Sequence, residues 1–309
     1  MNRCPLEICL SIFSLACTDE GYTGRSLSLV SKAFADASRP VQLQSIALHG
    51  PSQICGFASM LKKRNDCDRR VRNLFVSLKA RTRRVDLPPS EEQCFQATEF
   101  ILSLTSPHLS ILFLWWKGRT TMQLMTCLAQ TDLQRLTELS FDSSPQARNT
   151  STGDFFKLRA PNLRCLHLSF YRDLVIPSSL PSLLSRSCPC LSHLYLARVI
   201  FWKLPSDFVD AISYRVSRAS PSKKGVDPFP ATLNTLTLDR IVSRFHADPE
   251  ETLSGEALEL ETKMSELADC NSSFLCVNRV VGNHSRTYKS PQWWNERITG
   301  GEGCWIDRF

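Results

Sequence analysis

No apolar run in this sequence is long enough to span a bilayer. It has no Gly-rich phosphate loop, no Gly-x-Ser-x-Gly and no His-Glu-x-x-His, so the common signatures of nucleotide binding, serine hydrolysis and zinc proteolysis are missing. Glycine is scarce, with 12 among 309 residues, and its one dense stretch, Gly300-Gly301-Glu302-Gly303, has no strand or helix readable around it. Histidine numbers six, scattered along the chain. No catalytic residue and no cofactor is assigned, and the chain is read as a non-enzyme. Cysteine is abundant, at 13, but the number is odd and the spacing irregular, which argues against a disulfide framework. Free cysteine behaves as a small hydrophobe. A cytoplasmic or nuclear setting, reducing in either case, is therefore expected. Leu10 to Cys17 after Arg3 has the outline of a secretion signal. Glu7 at the head of that run, with Pro5 at a first-turn position, reads better as a helix start.

What the sequence does have is a pattern repeated seven times, with an apolar residue at positions one, four and six. The sets are Leu43-Ile46-Leu48, Val71-Leu74-Val76, Leu109-Leu112-Leu114, Leu136-Leu139-Phe141, Leu163-Leu166-Leu168, Leu191-Leu194-Leu196 and Leu233-Leu236-Leu238. Their starts are 28, 38, 27, 27, 28 and 42 residues apart. A period of 27 to 28 is that of a leucine-rich repeat, one strand plus one return helix per unit. No unit can bury its apolar face alone, so the units must stack. The expected fold is α/β: a leucine-rich-repeat solenoid, a curved sheet with helices on its convex side, preceded by a small helical domain. The boundaries read as 1–42 for the helical domain, 43–245 for the solenoid and 246–309 for a partly disordered capping tail.

Apolar spacing predicts helices over 5–17, 25–37, 52–63, 91–104, 121–130, 178–187, 205–216 and 248–267. Ser90 ahead of Glu91 and Glu92 is a helix start, a capping hydroxyl followed by acids in the first turn. The pattern stops after Phe245. Trp293, Trp294 and Trp305 are candidates to cover the open end of the stack.

The N-terminal residues Pro5-Leu6-Glu7-Ile8, Ile12-Phe13 and Leu27-Ser28-Leu29-Val30-Ser31-Lys32-Ala33-Phe34 resemble an F-box. Cys4 stands where that motif usually has leucine. As a whole the chain is similar to fungal (basidiomycete-like) F-box proteins with irregular C-terminal leucine-rich repeats. That resemblance implies a substrate-recruiting subunit of an SCF-type ubiquitin ligase. It also implies a Skp-type adaptor, and through it a cullin ligase, as partners. Pro5, Leu6, Ile8, Ile12, Leu29, Val30 and Phe34 match positions that pack in or against the adaptor.

Side chains alternate between the faces of a strand. With positions four and six inward, positions three, five and seven line the opposite, concave face. Phe75, Phe113 and Trp115 would form one aromatic patch there, with His167, His193 and Tyr195 further along, as a site for an unidentified protein target, the alternative being that the C-terminal tail folds back over the patch. Two other readings compete. One is a repeat scaffold that never engages a ligase. The other is nucleic-acid association through residues 62–84, which hold ten Lys/Arg against two Asp. Phe75 is the one aromatic there that could stack on a base, so a nucleic-acid partner is not expected. Cys165-x-His167 and Cys188-x-Cys190-x-x-His193 contain metal-ligating residue types, but not at zinc-site spacing, and no metal is assigned.

Overall fold

The computed structural model describes residues 4–79, 89–143, 158–174, 176–199, 204–217, 229–242, 255–281, 290–299 and 301. A single eight-stranded sheet organises them, with the strands side by side in sequence order and every neighbouring pair parallel. The strands are β1 (Ser45–His49), β2 (Asn73–Ser77), β3 (Ile111–Trp116), β4 (Glu138–Ser143), β5 (Cys165–Leu174), β6 (His193–Val199), β7 (Thr235–Val242) and β8 (Leu275–Val281). Helices precede, separate and follow them: α1 (Leu6–Ala16), α2 (Tyr22–Val30), α3 (Lys32–Ser38), α4 (Pro51–Lys62), α5 (Glu91–Thr105), α6 (Thr121–Gln130), α7 (Leu180–Ser187), α8 (Ser206–Ser217), α9 (Gly255–Cys270) and α10 (Ser290–Ile298).

The register follows the sequence repeat. Ile46, Leu74, Leu112, Leu139, Leu166, Leu194 and Leu236 stand side by side from β1 to β7. All seven are buried, in one cluster with Ile54 and Leu61 of α4, Ile101 of α5 and Leu124 of α6. Each such side chain contributes about 1.5–3 kcal/mol by leaving water. The two long spacings change nothing in the pairing, since Val76 still lies beside Leu114 and Leu196 beside Leu238. Extra residues are absorbed between strands, where loop length costs little.

Two sequence expectations need correction. The strand pattern does not end at Phe245: β8 pairs with β7, placing Leu275 beside Leu236 and Val277 beside Leu238. Position one of this eighth unit is Ser272, which hides the pattern, and α9 is its preceding helix. The helix expected over 25–37 is two helices. Ser31 is extended, at φ −166° and ψ 166°, and its side chain accepts from Phe34 N–H to start α3. In α1 the buried stripe is Cys9 and Phe13, continued by Cys17 just past its end, at intervals of four, while Leu6, Ile8 and Ile12 face solvent.

The helix start at Ser90 is as expected and more complete. Ser90 Oγ accepts from Gln93 N–H, and the Gln93 side chain accepts from Ser90 N–H. Glu91 serves a neighbour as well, accepting from Thr120 N–H at 2.6 Å and Thr120 Oγ1 at 2.7 Å. The N-terminal helices are fastened to the first strand by polar contacts. Gln44 Nε2 donates to Ser14 O at 2.9 Å, and Ser14 Oγ donates to Gln44 Oε1 at 3.0 Å. Gly24 lies against Gln42, whose carbonyl oxygen would be 2.2 Å from any Cβ added there, so a side chain would push α2 off this contact. None of the described helices is long and apolar enough to cross a membrane.

Candidate functional site

Two surfaces stand out, and the chain treats them oppositely. The first is the N-terminal helix pair. Nine large hydrophobic residues are strongly exposed among the described residues, and seven of them lie here: Leu6, Ile8, Ile12, Leu15, Tyr22, Leu29 and Val30. Leu29 is 77% exposed and Leu15 78%, so these are apolar side chains standing in water. Asp19 fixes the entry to α2, its carboxylate accepting from the N–H groups of Gly21 and Thr23. α1 and α2 can present so much apolar surface because α1 spends only one narrow stripe on the interior. Large apolar side chains exposed in this number on two short helices are the kind of surface that interaction sites use.

Of the residues expected to meet an adaptor, Pro5, Leu6, Ile8, Ile12, Leu29 and Val30 are exposed and available. Phe34 differs: it is half-buried and its ring packs on Phe13 at 5.6 Å between centroids. Phe34 thus helps hold α3 on α1. Leu15 and Tyr22 join the exposed surface, although the N-terminal motif does not include them.

The second surface is the sheet face turned away from α4–α9. Alternation places positions five and seven there as expected, since Ala47, Phe75, Phe113 and Trp115 form a cluster separate from the main core. Of the two readings of this patch, open to a target or covered by the C-terminal tail, the structure has the second. Phe75 is 0% and Phe113 1% exposed, because α10 lies across them. The Trp294 ring sits 5.7 Å from Phe75 and 5.6 Å from Phe113, and Ile298 completes the apolar contact. One turn of α10 therefore buries the aromatic patch. Trp294 was expected over the end of the stack, and it covers this face instead. Trp305 lies outside the described residues.

Polar contacts fix where α10 lands. Arg297 Nε donates to both oxygens of Glu138, at 2.8 and 2.6 Å, and Arg297 Nη2 donates to Glu138 Oε1. Glu138 is a buried carboxylate on β4 beside the aromatic patch. Arg297 also donates to Gly301 O at 2.9 Å, and Gly301 N–H donates to Glu296 O at 2.7 Å, closing the end of the helix. A Cβ at Gly301 would meet Glu296 O at 2.8 Å. This glycine serves a helix terminus. Trp115, at the patch's edge, has the ammonium groups of Lys79 and Lys117 over its ring at 5.5 and 5.4 Å.

Toward β8 the same face turns polar and stays buried. Ser140 Oγ is 2.8 Å from His167 Nδ1, and the His167 and Tyr195 rings meet edge-on at 4.6 Å. Tyr195 O–H donates to Asp239 Oδ2, and Asn278 Nδ2 donates to Asp239 Oδ1 at 3.0 Å. Burial lowers the His167 pKa to about 3, so the ring is neutral. Burial likewise lifts the Asp142 carboxyl to about 7, against the opposing pull of Lys117 and Arg198. His193 is half-buried and hydrogen-bonded to its neighbour Ser192 at 2.8 Å, and burial lowers its pKa. Phe75, Phe113, Trp115, His167 and Tyr195 are thus brought onto one face, but as buried groups.

Burial also pushes the Cys165 and Cys188 thiols up to about 12, which makes them poor nucleophiles and poor metal ligands. Cys165 Sγ and His193 Nδ1 are 3.9 Å apart. No group of three or more His, Cys, Asp or Glu side chains among the described residues is arranged to hold a metal ion. Cys190 is exposed and does not face Cys188 in the interior. No protein-family model matches this chain, and no curated protein matches it.

Proposed function

We propose that the chain is a substrate-recruiting subunit of an SCF-type ubiquitin ligase. Its first 42 residues act as an F-box that binds a Skp-type adaptor, and its parallel sheet is a leucine-rich-repeat solenoid that carries the target. The reading rests on one observation: Leu6, Ile8, Ile12, Leu29 and Val30, which resemble the F-box pattern, are five of the seven large apolar side chains left exposed on the N-terminal helices. A helix pair that served only to cap β1 would turn those residues toward β1. Here the cap contacts are made by Ser14, Gly24 and their partners Gln42 and Gln44. Such a protein works by position. The adaptor end and the target end are joined by stacked strands, which hold a bound target at a fixed distance from the transferring enzyme. That role places it in the cytoplasm or nucleus.

Co-expression with a Skp-type adaptor tests the proposal. Leu6→Asp together with Ile12→Asp in the full chain should abolish co-purification, because a charge would be buried unpaired at the interface. Both positions are exposed in the free chain, so its melting temperature should hardly change. A double variant that still retains the adaptor refutes the reading.

A further inference from the structure

We propose that α10 is a built-in occupant of a helix-binding face, and that the target this face takes is a short amphipathic helix which displaces it. The target helix would carry an aromatic or large apolar anchor, an arginine three residues on and an aliphatic residue four on. This deepens the function proposed above by naming what the sheet face recognises.

The occupant shows the specification. Trp294, Arg297 and Ile298 are spaced i, i+3 and i+4, so they share one side of α10, and that side meets the sheet. Gln292, Asn295 and Glu296 are exposed. The complementary features belong to the sheet: an apolar floor of Ala47, Phe75 and Phe113, and beside it the buried carboxylate of Glu138. That carboxylate is ion-paired with the arginine α10 brings, and removing one partner of a buried pair is costly. The face therefore selects a helix that brings an arginine at the right spacing, in the helix-in-groove mode.

The fit of α10 is incomplete. The indole N–H groups of Trp294 and Trp115 are both buried, and neither has an acceptor among the described residues. Each unmade hydrogen bond weakens the docked state. A foreign helix with phenylalanine in place of Trp294 would bury no such N–H, and one with an acceptor near Trp115 would satisfy the other. Such a helix would gain over α10 at these points, and displacement requires that gain to exceed the advantage α10 has from being attached to the chain. In sequence α10 follows β8, yet its contacts are with β2, β3 and β4, on the far half of the sheet. Its docking is thus a long-range contact that can open without unpairing a strand.

The test uses the full chain and a fluorescein-labelled peptide of residues 288–301, followed by fluorescence anisotropy. Arg297→Glu in the chain sets like charges against Glu138 and releases α10. The peptide should bind this variant at least tenfold more tightly than the wild-type chain, whose own α10 competes. The peptide with Trp294→Phe should bind at least as well. The peptide with Arg297→Glu should instead favour a chain carrying Glu138→Arg. Several results would overturn the proposal: no peptide binding to a released variant of unchanged circular dichroism, loss of fold on releasing α10, or a dimer by light scattering in which one copy's α10 fills the other's face. The adaptor surface lies elsewhere, so co-purification with the adaptor reports separately. If it survives while the peptide fails, only the account of the sheet face is lost.

Discussion

Phe113→Ala distinguishes a covered sheet face from an open one. Phe113 is 1% exposed, with the Trp294 ring 5.6 Å away. Removing a buried phenylalanine costs about 3–5 kcal/mol, of which the aromatic contact itself supplies about 0.5–1.5 kcal/mol. If α10 provides the burial, the cost should vanish once α10 is gone. In a Trp294→Ala background Phe113 stands on an open face, where a truncation costs within about 0.5 kcal/mol. The double-mutant cycle should therefore return a coupling of at least ~2 kcal/mol, well beyond the ~0.5 kcal/mol tolerance of independent sites. Leu112→Ala is the internal control. Leu112 points to the opposite face and is buried in the main core. It should lose about 2–5 kcal/mol and lose the same amount with or without Trp294. Urea unfolding read by far-ultraviolet circular dichroism measures all of these. A Phe113→Ala variant of wild-type stability, or one with an equal loss in both backgrounds, would refute the placement of α10.

The remaining tests are shorter. Thiol titration of the native protein should find free thiols, with Cys188 and Cys165 reacting only on unfolding, and elemental analysis should find no stoichiometric zinc; one zinc per chain, lost only with the fold, would contradict this. Asp142, held at about 7 by burial, binds its proton more tightly in the folded state. Its contribution is full below its unfolded pKa and lost as pH rises through about 7, so Asp142→Asn should gain on wild type by up to ~4 kcal/mol between pH 4 and pH 8. His167, held at about 3, works the other way, since its folded state loses stability as pH falls from about 6.5 towards 3; His167→Gln should flatten that acid limb. Gly24→Ala should destabilise the junction of α2 with the first strand, because its Cβ would meet Gln42 O at 2.2 Å, and limited proteolysis should then cut between the N-terminal helices and β1.

Much of the sheet was legible because one feature, apolar residues at positions one, four and six, is tied directly to strand alternation. From it the seven strands, their parallel register and the inward face of each follow. β8 escaped because Ser272 replaces the leading leucine, although Leu275 and Val277 keep positions four and six. α2 and α3 merged into one expected helix because the apolar spacing runs through Ser31, while the break there is set by a side chain capping the backbone. Where α10 would land was the least visible feature. Glu138 and Arg297 are 159 residues apart, and no local pattern links them.

Even so, composition along the sheet face holds a reason for that landing place. On β1, β2 and β3 the outward positions carry Ala47, Phe75, Phe113 and Trp115. On β4 and beyond they carry Ser140, Asp142, His167, Ser169, Tyr195 and Asp239. An apolar stretch of sheet needs an apolar cover, whereas a polar stretch can bond among its own members, as Ser140 does with His167 and Tyr195 with Asp239. The boundary between the halves falls at β4, where Glu138 sits. A helix with an aromatic residue and, three positions later, an arginine fits that boundary: the ring goes over the phenylalanines and the guanidinium reaches the carboxylate. Trp294 and Arg297 have that spacing. The N-terminal helices show the opposite arrangement, with leucines and isoleucines at exposed positions and no segment of the described chain laid over them. One apolar surface is matched inside the chain and the other is not. The unmatched surface is the one on which the proposed adaptor contact rests, and the matched one is the face for which an exchange of occupant is proposed.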